Sequence, residues 1–86
     1  MLELFHFEAC PFCAKVRRKL EVLGLDYISR PSLPGSQNRE FLGRMTKELQ
    51  FPLLIDTEKN VLMIESDDIC DYLEKHYGQG KQKRGE

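Results

Sequence analysis

Two cysteines with two residues between them, Cys10-Pro11-Phe12-Cys13, stand where an apolar run stops and a helical pattern starts. The preceding run LELFHF, residues 2–7, has the length and the aromatic content of a β-strand. After it, apolar side chains recur at spacings of three and four over residues 11–23, and Gly24 follows as a helix stop. Pro11 suits the first position of that helix because it has no N–H to satisfy there. The sequence therefore places the cysteine pair at a strand-to-helix junction.

The rest of the chain alternates short strands and helices. The apolar patterns predict a strand over 25–29, a helix over 37–49, a hairpin of strands over 52–56 and 61–65, and a last helix that begins at Ser66. Two strands joined through a helix are expected to be parallel. The order β-α-β-α-β-β-α matches the thioredoxin-like architecture, an α/β fold with a four-stranded mixed sheet flanked by three helices.

Size and composition indicate one small globular domain. The chain has 86 residues, of which 41% are hydrophobic and 31% charged. We expect the domain to span residues 1–77, with Gly78 ending the last helix and residues 78–86 forming a flexible polar tail.

Charge and hydropathy bear on the partners and the location. The net charge of −1 and the lack of a basic stripe interleaved with aromatics disfavour nucleic acid as a partner. No apolar stretch approaches the ~20 residues that span a bilayer, so no membrane partner is expected. The N-terminal residues do not follow the pattern of a secretory signal, and an odd count of three cysteines, two of them close together, does not suggest a disulfide framework. These features predict a cytoplasmic location.

The cysteine pair has the pattern of a redox couple. Cys10 falls at the helix N-cap, where unpaired backbone N–H groups and the helix dipole favour a thiolate. Cys13 lies one turn deeper on the same face, within reach of a disulfide but more shielded. Cys10 is thus the predicted nucleophile and Cys13 the predicted resolving thiol. A pair of buried structural cysteines is the alternative. Zinc is disfavoured, and no metal is expected, because the chain has no second pair of ligands with suitable spacing.

Three segments together resemble a known family. The motif CPFC, the segment QFP about forty residues later and the run ESDDICDYL at the last helix resemble the glutaredoxins. The resemblance covers residues 1–77 and is closest to the branch similar to the N-terminal domain of glutathione S-transferases. It implies that Pro52 follows a cis peptide bond and faces the cysteine pair. It also implies that the backbone of Phe51 pairs with the cysteinyl part of glutathione.

The same resemblance implies the remaining contacts with glutathione. Ser66 would bind the γ-glutamyl carboxylate, while Glu65 or Asp67 would balance the ammonium group. Pro11 and Phe12, which stiffen and cover the cysteine pair, are counted among the glutathione-binding residues. Many glutaredoxins carry a lysine just before the motif, toward the glycine carboxylate, whereas this chain has Glu8 there. The candidates that could replace this lysine are Lys15, Arg39 and Lys47.

The function implied is that of a glutaredoxin, a glutathione-dependent thiol–disulfide oxidoreductase acting through the CPFC dithiol. Glutathione would be its co-substrate, its partners would be glutathionylated or disulfide-containing proteins, and a monomer is expected. A non-catalytic glutathione-binding or partner-docking module similar to a transferase domain is the alternative. An iron–sulfur carrier shared by two chains is a third hypothesis, which the resemblance disfavours because Pro11 follows Cys10.

Overall fold

The computed structural model describes residues 1–84, and side chains up to residue 78. Its elements follow the predicted order. They are β1 (Leu2–His6), α1 (Pro11–Leu23), β2 (Tyr27–Pro31), α2 (Gln37–Met45), β3 (Leu53–Asp56), β4 (Val61–Ile64) and α3 (Ser66–Arg84).

The four strands form one mixed sheet in the order β2-β1-β3-β4. Strand β1 pairs with β2 in parallel, as expected for a connection through α1, and with β3 in antiparallel orientation. The antiparallel pair β3 and β4 is joined by a tight turn in which Asn60 adopts a positive φ of 61°. The predicted thioredoxin-like fold is confirmed.

Neighbouring residues of β1 pack on opposite faces of the sheet, as the alternation of a strand requires. Leu4 belongs to the larger core, which α1 and α3 cover with side chains such as Val16 and Leu73. Phe5 belongs to a smaller core under α2, where it packs with Leu42 and Leu53. The carboxyl end of β1 therefore emerges between the helix layers, next to the start of α1.

Helix α2 is shorter than the sequence predicts. It ends at Met45, and Thr46 caps it in an extended conformation with φ −142°. The predicted end at Leu49 was wrong because that residue is 36% exposed and does not extend the buried stripe of the helix. Residues 46–52 instead form the irregular approach to β3.

Helix α3 begins at Ser66, as the sequence predicts, but it ends later than expected. Ile69 donates its N–H to the carbonyl of Glu65 at 2.9 Å, so Glu65 holds the cap position and Ser66 is the first helical residue. Gly78 does not end the helix, which continues to Arg84. A glycine that stops a helix adopts a left-handed conformation, as Gly24 does with φ 69°, whereas Gly78 keeps a negative φ.

The predicted tail is therefore helical over residues 78–84, while residues 85 and 86 lie outside the described residues. Within the described part of the chain, no helix has both the length and the apolar character needed to cross a membrane.

Candidate functional site

Cys10 forms the N-cap of α1, as the sequence predicts. Its backbone is extended, with φ −83° and ψ 112°, and Pro11 opens the helix. The Cys10 Sγ accepts a hydrogen bond from the backbone N–H of Cys13 at 3.2 Å. A sulfur in this position takes the place of the oxygen in an ordinary N-cap side chain. The helix N-terminus thus directs a backbone donor at the sulfur.

Both cysteines of the pair are buried free thiols. Cys10 is 6% exposed and Cys13 is fully buried. Cys13 is the more shielded of the two, as the sequence predicts, but Cys10 is buried as well. Burial raises the pKa of Cys13 to about 12, and the hydrogen bond with Cys10 adds to the increase. At neutral pH Cys13 is accordingly a protonated thiol.

The chain around Pro52 faces the cysteine pair. The Phe51–Pro52 peptide bond is cis, which confirms that expectation. The Cys10 Sγ lies 3.9 Å from the carbonyl oxygen of Phe51, and Pro52 is buried. Two backbone segments that are 41 residues apart in sequence therefore enclose one sulfur.

A groove of about 430 Å³ lies between the Phe51–Pro52 segment and the N-terminus of α3, and neither Cys10 nor Cys13 is part of its lining. Its lining includes Phe12, Gln50, Phe51, Pro52, Glu65, Ser66, Asp67 and Asp68. Six of these residues were predicted as site residues from the sequence. Gln50 and Asp68 were not, although each adjoins a segment that carries the resemblance. Pro11 is exposed and does not line the groove.

The end of the groove at α3 has a distinctive backbone. Glu65 adopts a positive φ of 77°, a left-handed conformation that is uncommon for a residue other than glycine. Ser66 is 9% exposed and follows it at the start of α3. A helix N-terminus presents unpaired N–H groups that suit an anion.

The candidate cations near the groove differ in their contacts. Lys15 forms an ion pair with Asp67, and both side chains are more than half exposed. Arg39 places its guanidinium 4.6 Å from the centre of the Phe51 ring, and its Nε donates to the carbonyl of Ser32 at 2.9 Å. Lys47 is exposed, and none of these three cations is part of the groove lining. Arg39 is therefore the cation held most firmly beside Phe51.

A second arginine, which the hydropathy pattern assigns to the wet face of α1, reaches under the loop before Cys10. Arg17 Nη1 lies 2.9 Å from His6 Nδ1 and donates to the carbonyl of Phe7 at 3.4 Å. Its Nη2 lies 3.5 Å from the carbonyl of Glu8. The carbonyl of Phe7 also accepts the N–H of Cys10 at 3.2 Å.

A family model described as the N-terminal domain of glutathione S-transferase matches residues 4–82. The chain belongs to this family. The transferase-domain part of the resemblance is thereby confirmed, while the match does not separate glutaredoxins from transferases. A comparison with curated proteins finds no significant match.

Solved structures with the same fold include several glutathione transferases. A delta-class enzyme from Nilaparvata lugens has a TM-score of 0.76 at 21% identity, over 90% of this chain and 36% of its own. Glutathione transferase Omega 3C from Trametes versicolor has a TM-score of 0.74 at 26% identity, over 90% of this chain and 34% of its own. A diazinon-metabolizing transferase from Bombyx mori has a TM-score of 0.78 at 22% identity, over 93% of this chain and 39% of its own. This transferase N-terminal domain thus spans a little over a third of each solved chain.

The third cysteine of this transferase N-terminal domain lies on α3, whereas the pair lies at the start of α1. Cys70 is half-buried on α3 and packs against the larger core, and burial raises the pKa of its thiol. Among the described residues, no group of three or more His, Cys, Asp and Glu side chains is placed to hold a metal ion.

Proposed function

We propose that the protein is a glutathione-dependent thiol–disulfide oxidoreductase of the glutaredoxin type. The observation that carries the proposal is the position of Cys10 Sγ, which accepts the N–H of Cys13 at a helix N-terminus and faces the carbonyl beside a cis-proline. Membership of the glutathione S-transferase N-terminal domain family supports glutathione as the small substrate.

Glutathione would lie along the groove between Phe51 and the start of α3. In this proposal the backbone of Phe51 pairs with its cysteinyl unit, and Ser66 with the neighbouring N–H groups binds the γ-glutamyl carboxylate. Glu65 faces the ammonium group, because Lys15 already balances the charge of Asp67. Arg39 then takes the glycine carboxylate at the opposite end.

The first half-reaction transfers a glutathionyl group to Cys10. The Cys10 thiolate attacks the glutathione sulfur of a mixed disulfide, and the disulfide bond of the substrate breaks as the Cys10–glutathione bond forms. The protein substrate leaves as a thiolate and takes a proton from solvent. A second glutathione thiolate then attacks the glutathionyl sulfur on Cys10, which releases glutathione disulfide and restores the Cys10 thiolate.

Protein disulfides would use both cysteines. Cys10 forms a mixed disulfide with the substrate, and Cys13 attacks Cys10 Sγ to release the reduced substrate and leave a Cys10–Cys13 disulfide. Two glutathione molecules then reduce that disulfide in successive exchanges and leave as glutathione disulfide. The burial of Cys13 and its raised pKa keep it protonated until a mixed disulfide forms beside it.

A glutathione-coupled assay on a small glutathione mixed disulfide tests this function. We expect Cys10→Ser to abolish turnover and Cys13→Ser to retain it, since only Cys10 carries the glutathionyl group. The matched control is Cys70→Ser, which removes a thiol that does not line the groove and should turn over like the parent protein. Turnover by Cys10→Ser at the parent rate would overturn the assignment.

One observation favours a second candidate, a glutathione-binding module without turnover. Cys10 is only 6% exposed, which restricts the approach of a large disulfide substrate. Calorimetric titration with glutathione, read together with the coupled assay, distinguishes the candidates. The module would bind glutathione in the groove and show no turnover, whereas the oxidoreductase would show both.

A further inference from the structure

We propose that Phe7 is a positioning residue that holds the Phe51–Pro52 segment against Cys10 and thereby makes the sulfur selective for slender disulfides. The proposal rests on the thiol–disulfide function above and names the class of disulfide that the site accepts. It follows from three contacts that join Phe7, Phe51 and Cys10 to one another.

Each of the two phenylalanines contacts Cys10 through its own backbone carbonyl. Phe7 directly follows β1, and its carbonyl accepts the N–H of Cys10 at 3.2 Å. The carbonyl oxygen of Phe51 lies 3.9 Å from the Cys10 Sγ. Phe7 therefore fixes the backbone of the nucleophile, and Phe51 lies at its sulfur.

The rings of the same two residues contact each other. Their centroids are 5.9 Å apart and their planes meet at 74°, an edge-to-face arrangement that aromatic pairs favour. Both residues are half-buried. The ring contact thus ties the turn before Cys10 to a segment that is remote in sequence, and the third contact of the set is made by side chains alone.

A cation adds to the ring contact. The guanidinium of Arg39 lies 4.6 Å from the centre of the Phe51 ring and 5.9 Å from that of Phe7, within the range of a cation–π interaction. Its Nε donates to the carbonyl of Ser32, and the N–H of Ser32 donates to the carbonyl of His6 at 2.8 Å. The cation over both rings is therefore anchored beside the strand that leads into Phe7.

These contacts control the access to Cys10. The residue is only 6% exposed, so a narrow opening leads to its sulfur. A slender disulfide can reach the sulfur through this opening, whereas a bulky one requires the Phe51–Pro52 segment to move away. The population of such a local opening depends on the contacts that the opening breaks. The ring of Phe7 supplies one of these contacts, and its loss should favour bulky disulfides alone.

The reaction that is selected is the first exchange. The Cys10 thiolate attacks one sulfur of the disulfide, and a bond from Cys10 to that sulfur forms as the disulfide bond breaks. The other half of the reagent leaves as a thiolate. No further oxidant or reductant takes part in this step.

Two disulfides of different size test the selection in a background that carries Cys13→Ser and Cys70→Ser, where Cys10 is the one remaining thiol. Hydroxyethyl disulfide is the slender reagent, followed by intact mass, and dithionitrobenzoate is the bulky aromatic reagent, followed by its coloured thiolate. We expect Phe7→Leu to raise the rate with the bulky reagent about fivefold, the factor for one lost aromatic pair. The rate with the slender reagent should stay unchanged.

The parent background tests the selection directly. The ratio of the bulky rate to the slender rate should be lower in the folded protein than in the same protein unfolded in urea, where the segment no longer lies against Cys10. Equal ratios in the two states would overturn the proposal.

Three further variants separate the ring contact from a general loosening of the fold. Phe7→Tyr keeps the ring and should react like the parent background. Phe51→Leu removes the same contact from the other side, and the double variant with Phe7→Leu should react no faster than Phe51→Leu alone. The matched control is Phe41→Leu, which removes one ring of a different pair, stacked on Phe5 with centroids 6.3 Å apart, and should react like the parent background.

A general loosening would raise the rates with both reagents. An equal rise with both in Phe7→Leu, no rise with the bulky one, a rise in Phe41→Leu or Phe7→Tyr, or additive effects in the double variant would overturn the proposal. Neither reagent contains glutathione. Size selection without glutathione turnover therefore refutes only the proposed function, and turnover without size selection refutes only the role of Phe7.

Discussion

Strand β3 is preceded by the Phe51–Pro52 segment, which contacts Cys10, and ends at a buried carboxylate, Asp56. The polar groups at these two ends have different partners. Asp56, at the end, is fully buried and accepts hydrogen bonds from the hydroxyls of Tyr72 at 2.8 Å and Tyr77 at 2.6 Å. It also accepts the backbone N–H of Glu58 at 3.1 Å. At the start, Phe51 and Pro52 border an open groove. The polar groups around Asp56 are paired with partners within the protein, whereas Phe51 and Pro52 face space that a ligand can fill.

This difference separates stability from binding. A buried carboxylate whose acceptor sites are filled by side chains and backbone holds α3 against the sheet, since both tyrosines belong to α3. Backbone donors at a helix N-terminus beside a groove have no such internal role. We therefore expect changes at Asp56 to alter the free energy of unfolding, and changes at the groove to alter the affinity for glutathione.

The largest expected effect is on stability. Asp56→Asn removes the charge that strengthens the hydrogen bonds from Tyr72 and Tyr77, and should lower the free energy of unfolding by about 2 kcal/mol. Urea denaturation followed by circular dichroism measures the change. Asp26→Asn, at an exposed position before β2, is the matched control and should unfold like the parent. A loss of glutathione turnover per folded molecule in Asp56→Asn would show that Asp56 also acts on the groove.

The pH dependence of the free energy of unfolding is a second test of the role of Asp56. Burial alone would raise the pKa of Asp56, but the hydrogen bonds from Tyr77, Tyr72 and the backbone together lower it. A lowered carboxyl pKa stabilises the fold above the unfolded value of about 4, and this contribution is lost as the pH falls through the folded value. Burial and the hydrogen bond to Asp56 raise the pKa of Tyr72 to about 12. This contribution is present below about pH 10 and lost as the pH rises through the folded value.

The parent protein should therefore lose stability toward both acid and alkali. In Asp56→Asn the acid loss should be smaller, because the group that titrates there is gone. Urea midpoints measured across the pH range check this. An acid limb that is the same in the parent and in Asp56→Asn would show that Asp56 does not stabilise the fold through its charge.

A smaller effect is expected at the groove. Arg39→Met removes the cation that lies over Phe51 and should raise the KM for glutathione about fivefold, the loss of about 1 kcal/mol from one exposed charged contact. Turnover at saturating glutathione should change little, since Arg39 does not touch the reacting sulfur. Steady-state kinetics with varied glutathione measure both quantities.

The matched control for Arg39 lies on the same helix. Arg44→Met removes a second cation of α2, one that lines a separate groove with Phe5 and Phe41. It should leave the KM for glutathione unchanged. If Arg44→Met raised the KM as much as Arg39→Met, the effect would come from the general charge of α2 and not from a contact in the groove.

Local patterns in the sequence predicted the elements that depend on local signals. Gly24 ends α1 in a left-handed conformation, and the spacing of Cys13, Val16 and Leu20 marks its buried face. The motif CPFC predicted the N-cap sulfur because Pro11 and the helix N-terminus follow from neighbouring residues alone.

Local patterns did not predict features that depend on distant contacts, and only the family resemblance implied that the Phe51–Pro52 segment faces the cysteine pair. Cys10 is buried partly because the Phe51 segment, remote in sequence, packs against it. Arg17 looks like a surface residue in the hydropathy pattern, yet its long side chain reaches back under the turn after β1. Gly78 continues α3 because a glycine only weakens a helix by about 1 kcal/mol and does not by itself end it.

The proposed function requires that Cys10, and not Cys70, receives the glutathionyl group. The most direct test is incubation of Cys13→Ser with glutathione disulfide at neutral pH, followed by intact mass and peptide mapping. In this reaction the Cys10 thiolate attacks one sulfur of glutathione disulfide, and the other glutathione leaves as a thiolate. We predict one glutathione adduct per chain, located on Cys10. An adduct on Cys70 alone, or no adduct on Cys10, would contradict the account.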